Sequence, residues 1–596
     1  MWKVLKMLLF GGAPNEAPPR PDPPARTRAE RNAPVPRPSI NQDGANDSGN
    51  GSDVRKVTPA IGRGRQNGGG GLSTDLGENL EALQKIFGNS ADLVFRTFTI
   101  DGLNLRAALV YLDGLVENPG VNDFLLRPLM QRGNQIRLAV EQSPAPGYPG
   151  EAGAARHPLL RNLQQFLVIN TAVTERAVFS DLVDEIISGS TALLIDTVPA
   201  ALSVPQRGYE ERGVQEPPTE ALVRGPRDGF VESVRINMSL LRRKLRDPSL
   251  RLEMFRVGRR TNTDVVICYV EDVANPKIVD EIRTRIKGID IDGVLESGYL
   301  EQIIEDHHFS PFPQIQNTER ADRAVANLLE GRVVILVDGT PVCLILPSVF
   351  SQFYQVPEDY YERFLIATMV RGIRVIALFF SLTFTSLYVA LISFHSEMLP
   401  TKFAVAVAGG RAGVPFPSVA EAFFMELTME ILREAALRLP KAIGPTVSIV
   451  GALVIGEAAV RAGIVSPLMV IVVALTSIGS FAVPSYSAAI ALRIVKFPII
   501  LAAGTFGIYG VMLAVIGLVV HLASLKSVGI PYLTPFAPAR STDAKDTLFR
   551  VPLWSMNRRP ALLRTGDPTR MPHTTKVLGD ENLGLEGESG PGKPER

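Results

Sequence analysis

Cysteine is nearly absent from this chain. Cys268 and Cys343 lie far apart, each inside an apolar, strand-like run. Neither CxxC nor metal-ligand spacing occurs, so nothing argues for a disulfide framework, a zinc site or a dithiol centre, and both thiols are expected in a core. The six histidines are scattered, except for His307-His308 at the end of a predicted helix, where the pair suits the helix dipole better than a metal. Charge of one sign is also missing. With 62 basic and 61 acidic residues, the chain offers no electrostatic ground for a nucleic-acid partner. No HExxH, Walker, GxSxG or Rossmann fingerprint stands where its context demands, and the glycines of GRGRQNGGGG precede no GK[ST]. The expectation is a non-enzyme with no cofactor and no metal.

What is present is unevenly distributed. The N-terminal MWKVLKMLLFGG is too short for a signal-peptide core. Residues 11–72 are rich in Pro, Gly, Asn and Arg and cannot bury enough apolar surface to offset ordering entropy. Residues 1–78 are therefore read as a disordered extension, and residues 539–596 as a disordered tail. Between them, residues 79–204 alternate helix and strand signals: NLEALQKIFG with a stop at Gly88, then LVFRTFTI, LRAALVYL, VNDFLLRPLM, VFSDLVDEIISG and TALLIDT. A Pro/Gly-rich boundary follows, and residues 220–362 repeat the style. There RLEMFRV and DVVICYV read as strands and PKIVDEIRTRIKG and SGYLEQIIED as helices. TERADRAVANLLEG is a helix with Thr318 as its cap and Gly331 as its stop. VVILVD and VCLILP form a hairpin around Asp338-Gly339-Thr340-Pro341. The fold class expected is an α/β region of two subdomains followed by an α-helical multi-span transmembrane domain.

The transmembrane part is placed at residues 373–525. Residues 373–394 carry no charge beyond Arg374 at their start and are long enough to cross the hydrocarbon core. Arg363, Arg371 and Arg374 flank the start of this run, which puts the α/β region on the cytoplasmic side. Further spans are expected at 446–464, 467–492 and 497–525, with breaks at Ser466-Pro467 and at Arg493 to Lys496. Residues 417–440, with Lys441 just beyond them, divide into a charged arc (Glu426, Glu430, Arg433, Glu434, Lys441) and an apolar remainder. That pattern fits a helix lying in the interface or one lining a wet cavity. Counting it as a span leaves the C-terminal tail outside, while omitting it reverses the tail and breaks the charge rule, so topology beyond the first span stays open.

Within 446–464, Ser448, Ala452, Gly456, Ala459 and Gly463 recur at helical spacing as a stripe of small residues, which lets helices approach closely. Glu457 and Arg461 lie one turn apart on another face. They form either a local pair that settles two charges or part of a polar wall in an oligomeric pore, where carboxylates favour cations. Glu426 and Glu430 are the other candidate intramembrane acids. The stretch from Pro311 to Phe364, with Asp338, Gly339, Pro341, Glu358, Tyr360 and Arg363, joins the two regions and is a candidate coupling element.

The wording of that connector resembles the GerA-type spore germination receptor family, A subunit. PFPQ at 311–314, LLEGRVVILVDGTP at 328–341 and PEDYYERF at 357–364 carry the resemblance. It continues in YLDGLV, LRPLM, EPPTEALVRGPRDGFVES, NMSLLRRKLRDPSL, GVPFPSVAEAFFMEL, IVGALVIGEAAVRAGIVSP and GIPYLTPFAP, in order over residues 79–538. The resemblance implies a receptor subunit in the spore inner membrane, with its α/β region facing the spore core. Implied partners are a transporter-like B subunit, to which nutrient binding is attributed, and a lipoprotein C subunit. The family further implies a homo-oligomeric ring whose membrane part is a ligand-gated cation channel. Alternatives are a paralogous subunit that amplifies the germination signal, a secondary transporter, which would need inverted repeats, and a membrane-anchored scaffold.

Overall fold

A computed structural model describes residues 70–571 apart from 101, 132–156, 158, 161–162, 165–172, 209–216, 218, 440–443 and 541–542. The extension through residue 69, the PAPGYPGEAG loop, Lys441 and residues 572–596 therefore lie outside the described residues. The polypeptide builds two five-stranded sheets and then a set of long helices.

The first sheet contains β1 (Leu93–Ile100), β2 (Leu105–Leu112), β3 (Thr174–Arg176), β4 (Ser190–Ile195) and β5 (Ala201–Pro205), in the order β1-β2-β4-β5-β3. Helices α1 (Leu76–Phe87) and α2 (Phe179–Ile187) cover one face. Asp75 starts α1 by accepting from the Gly77 amide, and Gly88 ends it in the left-handed region. The second sheet contains β6 (Leu250–Val257), β7 (Thr263–Val270), β8 (Gln316–Thr318), β9 (Val333–Val337) and β10 (Cys343–Leu346). Its order, β6-β7-β9-β10-β8, repeats that of the first sheet. Every pairing within these two sheets among the described residues is antiparallel.

Strand period explains the layering of the second unit. Val333, Ile335 and Val337 point to the face covered by α4 (Pro276–Lys287) and α5 (Ser297–Ile304). Val334 and Leu336 point to the face covered by α3 (Val234–Lys244) and α6 (Ala321–Leu329). With both faces covered, the strands read as continuous apolar runs. Cys268 and Cys343 are unpaired and buried in the α3–α6 layer. Thr318, the predicted cap of α6, lies instead in β8, where its hydroxyl is engaged by Glu220, and Arg320 takes the N-cap position.

The two sheet units are joined by buried ionic contacts. Arg242 of α3 donates to Asp92 through Nε (2.7 Å) and Nη2 (3.1 Å), and to Ser90 at 2.8 Å. Both charged side chains are almost fully buried. The fork geometry fixes orientation as well as charge.

The helical region comprises α7 (Phe364–Phe394), α8 (Thr401–Arg411), α9 (Ser418–Arg438), α10 (Gly444–Arg461), α11 (Pro467–Phe481) and α12 (Tyr486–Ser524). Among the described residues, α7 and α12 are long and apolar enough to cross a membrane. Two expected boundaries move. The run 467–492 is interrupted after Phe481, where Ser485 accepts from the Ala488 amide and starts α12. The break expected at Arg493 to Lys496 is absent, because both cations turn inward to carboxylates on α9. The actual bend in α12 is at Gly507, whose φ is 63°.

The C-terminal segment is the largest correction. Residues 543–571, expected to be disordered, fold back onto the second sheet unit. Leu562 and Leu563 are buried in its α4–α5 core, the Gly566 amide donates to Val273 O at 3.0 Å, and Asn275 donates to Leu563 O at 3.1 Å. Composition alone missed this, since two leucines and a few directed hydrogen bonds suffice to order a polar strand of chain. The start of α7 and the chain beyond α12 thus adjoin the same α/β unit. That disagrees with a tail on the opposite side of the helices.

Candidate functional site

Two polar clusters and one exposed ion pair carry the unusual chemistry. The first cluster sits where the α/β region meets α7. PEDYYERF forms a single helical turn, Glu358–Tyr361, ahead of α7. Asp359 is buried and accepts from Arg371 Nε at 3.1 Å and from Arg374 Nη1 at 3.1 Å. Arg371 is fully buried and reaches Asp546 Oδ1 with Nη1 at 2.9 Å. Tyr360 donates to Asp546 Oδ2 at 2.5 Å, and burial, with the Asp546 charge behind it, holds its hydroxyl well above the usual tyrosine range. The guanidinium groups of Arg371 and Arg550 lie 5.8 Å and 5.5 Å from the Tyr360 ring centre, within cation–π reach. Thr368 and Arg550 exchange hydrogen bonds, and Trp554 packs edge-on against Phe364. Three separate pieces of chain, the connector, the base of α7 and the C-terminal segment, are therefore tied through one charge network.

The second cluster is inside the helical region. Glu426 of α9 pairs with Lys496 of α12. The same carboxylate accepts from Thr385 at 2.8 Å and Thr476 at 3.3 Å, while Lys496 donates to Thr476 at 3.0 Å. One turn along, Glu430 pairs with Arg433 at 2.8 Å and faces Arg493 at 3.5 Å. Arg433 stacks over Phe481. A cavity of about 20 Å³ among these groups has room for roughly one water. Charges in such surroundings persist only when paired and hydrogen-bonded, and here each has a partner.

The remaining candidates separate. Glu457 and Arg461 form a local i,i+4 pair on α10, with side chains 56% and 79% exposed. On the other side of α10 the small residues serve contacts within the chain. Ala459 is buried, and a Cβ at Gly456 would lie 3.5 Å from Val470 of α11. Gly463 ends the run in the left-handed region, and Ser448's side chain lies outside the described residues. The Asp338-Gly339 turn is at the far end of the β9–β10 hairpin from the connector. Asp338 caps α3 by accepting from the Val234 amide at 3.0 Å, and Pro341 follows in the same turn. Of the connector candidates, Glu358 and Tyr360 lie in the junction, and Arg363 is the exposed N-cap of α7. Sequence reasoning took Arg371 and Arg374 as flanking charges and missed their partners Asp359 and Asp546. It also missed Arg493 and Lys496 as counter-ions, although acids at 426 and 430 and cations at 493 and 496 have matching one-turn spacing.

The Bacillus/Clostridium GerA spore germination protein family matches residues 81–562. The chain belongs to the GerA family. Among its relatives, spore germination protein KA of Bacillus subtilis is 43% identical over 500 residues, covering 84% of this chain and 88% of that protein. A B. subtilis membrane protein, YfkQ, is 43% identical over 497 residues, covering 83% and 93%. The crystal structure of the N-terminal domain of the A subunit of the Bacillus megaterium spore germinant receptor GerK3 matches with 37% identity and a TM-score of 0.37, covering 47% of this chain and 98% of that one. The GerA match spans both sheet units and the helices, and stops within the C-terminal segment that folds back on them. Both polar clusters of this GerA-family chain fall inside the matched residues.

Proposed function

We propose that this chain is the A subunit of a nutrient germinant receptor in the spore inner membrane, and that it assembles as a ring whose helical part is a ligand-gated cation channel. Its partners in this reading are a transporter-like B subunit and a lipoprotein C subunit. The α/β region faces the spore core, and α7 and α12 are two spans of a multi-span domain. The segments flanking the helices adjoin one α/β unit, which supports an even number of crossings.

The observation that carries the pore reading is the exposed Glu457–Arg461 pair on α10. Exposed Val450, Leu453 and Val454 precede it on the same helix. An apolar surface interrupted by a charge pair is poorly matched to lipid alone and well matched to a subunit interface that borders water. Gating follows from linkage: occupancy of the partner shifts a closed–open equilibrium only as far as the partner's affinities for the two states differ. The network of Asp359, Arg371 and Asp546 is the route by which movement of the α/β region reaches α7. Glu457→Gln tests the reading. Assembly should persist while cation conductance and germination rate change; unaltered conductance and germination together remove Glu457 from the pore.

A further inference from the structure

A cavity of about 600 Å³ lies between the second sheet unit, the connector and the C-terminal segment. Its size is that of a small-molecule site, and the junction network described above uses only one edge of it, through Tyr360 and Asp546. Seven basic and four acidic side chains line it, and much of the remaining wall is apolar, including Val349, Val356, Leu553 and Met556. At its floor Arg332 is 2% exposed. One guanidinium nitrogen is held by Pro347 O. Nε has no hydrogen-bond partner, and the nearest carboxylate, Glu330, stands 3.7 Å away. Across the cavity the C-terminal segment contributes Arg558 and Arg564, which form no ion pair among the described residues, and Arg570, which is 3.9 Å from Glu330. A buried guanidinium with an unmet donor is costly unless something accepts from it, and guanidinium groups bind carboxylate and phosphate oxygens preferentially.

We infer that this cavity is a binding site for a small organic anion, whose carboxylate or phosphate group meets Arg332 and the C-terminal arginines while its body lies on the apolar wall. A ligand there would bridge the C-terminal segment, the connector and the turn between α6 and β9 in one contact set. The inference does not depend on the channel reading, because it rests on the cavity alone.

Isothermal titration of the full-length chain in detergent tests it with three probes: AMP, citrate and inorganic phosphate. AMP or citrate should bind saturably, and whichever binds identifies phosphate or carboxylate as the recognised group. Arg558→Gln combined with Arg570→Gln, both at exposed positions of the wall, should weaken binding about tenfold. Glu330→Gln, which removes a competing carboxylate, should tighten it. Opposite shifts in the two variants cannot come from a general loss of folding. The inference is overturned if neither organic anion binds, if inorganic phosphate binds as tightly as both, or if affinity is the same in all three proteins.

Discussion

The Glu426–Lys496 pair offers a quantitative test of how the helical region is held together. Both side chains are less than 10% exposed, so solvent screening is small and their separation from water must be offset by each other. At an effective dielectric of about 20, two unit charges at contact attract by roughly 4 kcal/mol. Removing one partner of such a pair costs about 3–5 kcal/mol, mostly because the other is left buried and charged. The two single variants should differ. Lys496→Met leaves Glu426 with hydrogen bonds from Thr385 and Thr476, whereas Glu426→Met leaves Lys496 with only the Thr476 hydroxyl. Glu426→Met is therefore expected to be the more damaging, and the double Met variant should recover most of the loss. Thermal unfolding of the purified full-length chain reads this as a drop of roughly 3–5 °C for the single changes, at about 1 °C per kcal/mol for a chain of this length. Additive losses, or single variants that melt with the parent, would refute the pairing.

Asp546→Ala removes one of the two carboxylates facing fully buried Arg371 and the acceptor of the Tyr360 hydroxyl. It should cost about 3 kcal/mol and speed proteolytic cleavage within residues 543–571, measured by limited digestion. Gly507→Ala forces a left-handed residue onto a side chain and brings a Cβ to 2.7 Å from His395. A loss of about 1–3 kcal/mol in thermal stability is expected. Glu301 in the α/β region is pushed up to about 7 by burial and by the like charges of Glu305 and Glu296. Its folded pKa exceeds the unfolded one, so its contribution is complete below about pH 4.5 and is lost as pH rises through about 7. Glu301→Gln should thus gain stability relative to the parent at pH 8 but not at pH 4.5, by at most about 3 kcal/mol; a pH-independent difference would contradict the assignment.

Local signals carried much of the α/β architecture. The hairpin at Asp338-Gly339, the continuous apolar runs of β9 and β10 and the stop at Gly331 are written in turn chemistry and in the length of apolar runs. Strands β3, β5 and β8 were not legible: they are short, and β3 and β8 pair with strands well farther along the chain. The helical region was legible as apolar length and misread as segmentation. Arg493 and Lys496 looked like a break because a charge in an apolar run normally marks an interface, and only the fold shows that Glu426 and Glu430 neutralise them. The charged arc around Glu426 left an interfacial helix and a cavity lining open, and its packing against α12 favours the second. The C-terminal segment was hidden for the opposite reason. Its composition is that of disordered chain, yet Leu562, Leu563 and Asp546 each have a specific acceptor site in the rest of the molecule.

The central claim is that copies of this chain assemble around a conducting path bordered by α10. Purified full-length chain in lipid nanodiscs can be weighed particle by particle, and the same preparation fused into planar bilayers for current recording. The account predicts a closed ring of several copies and a cation-selective current that Glu457→Gln alters. A monomeric particle with no current in the presence of its partner subunits would contradict it.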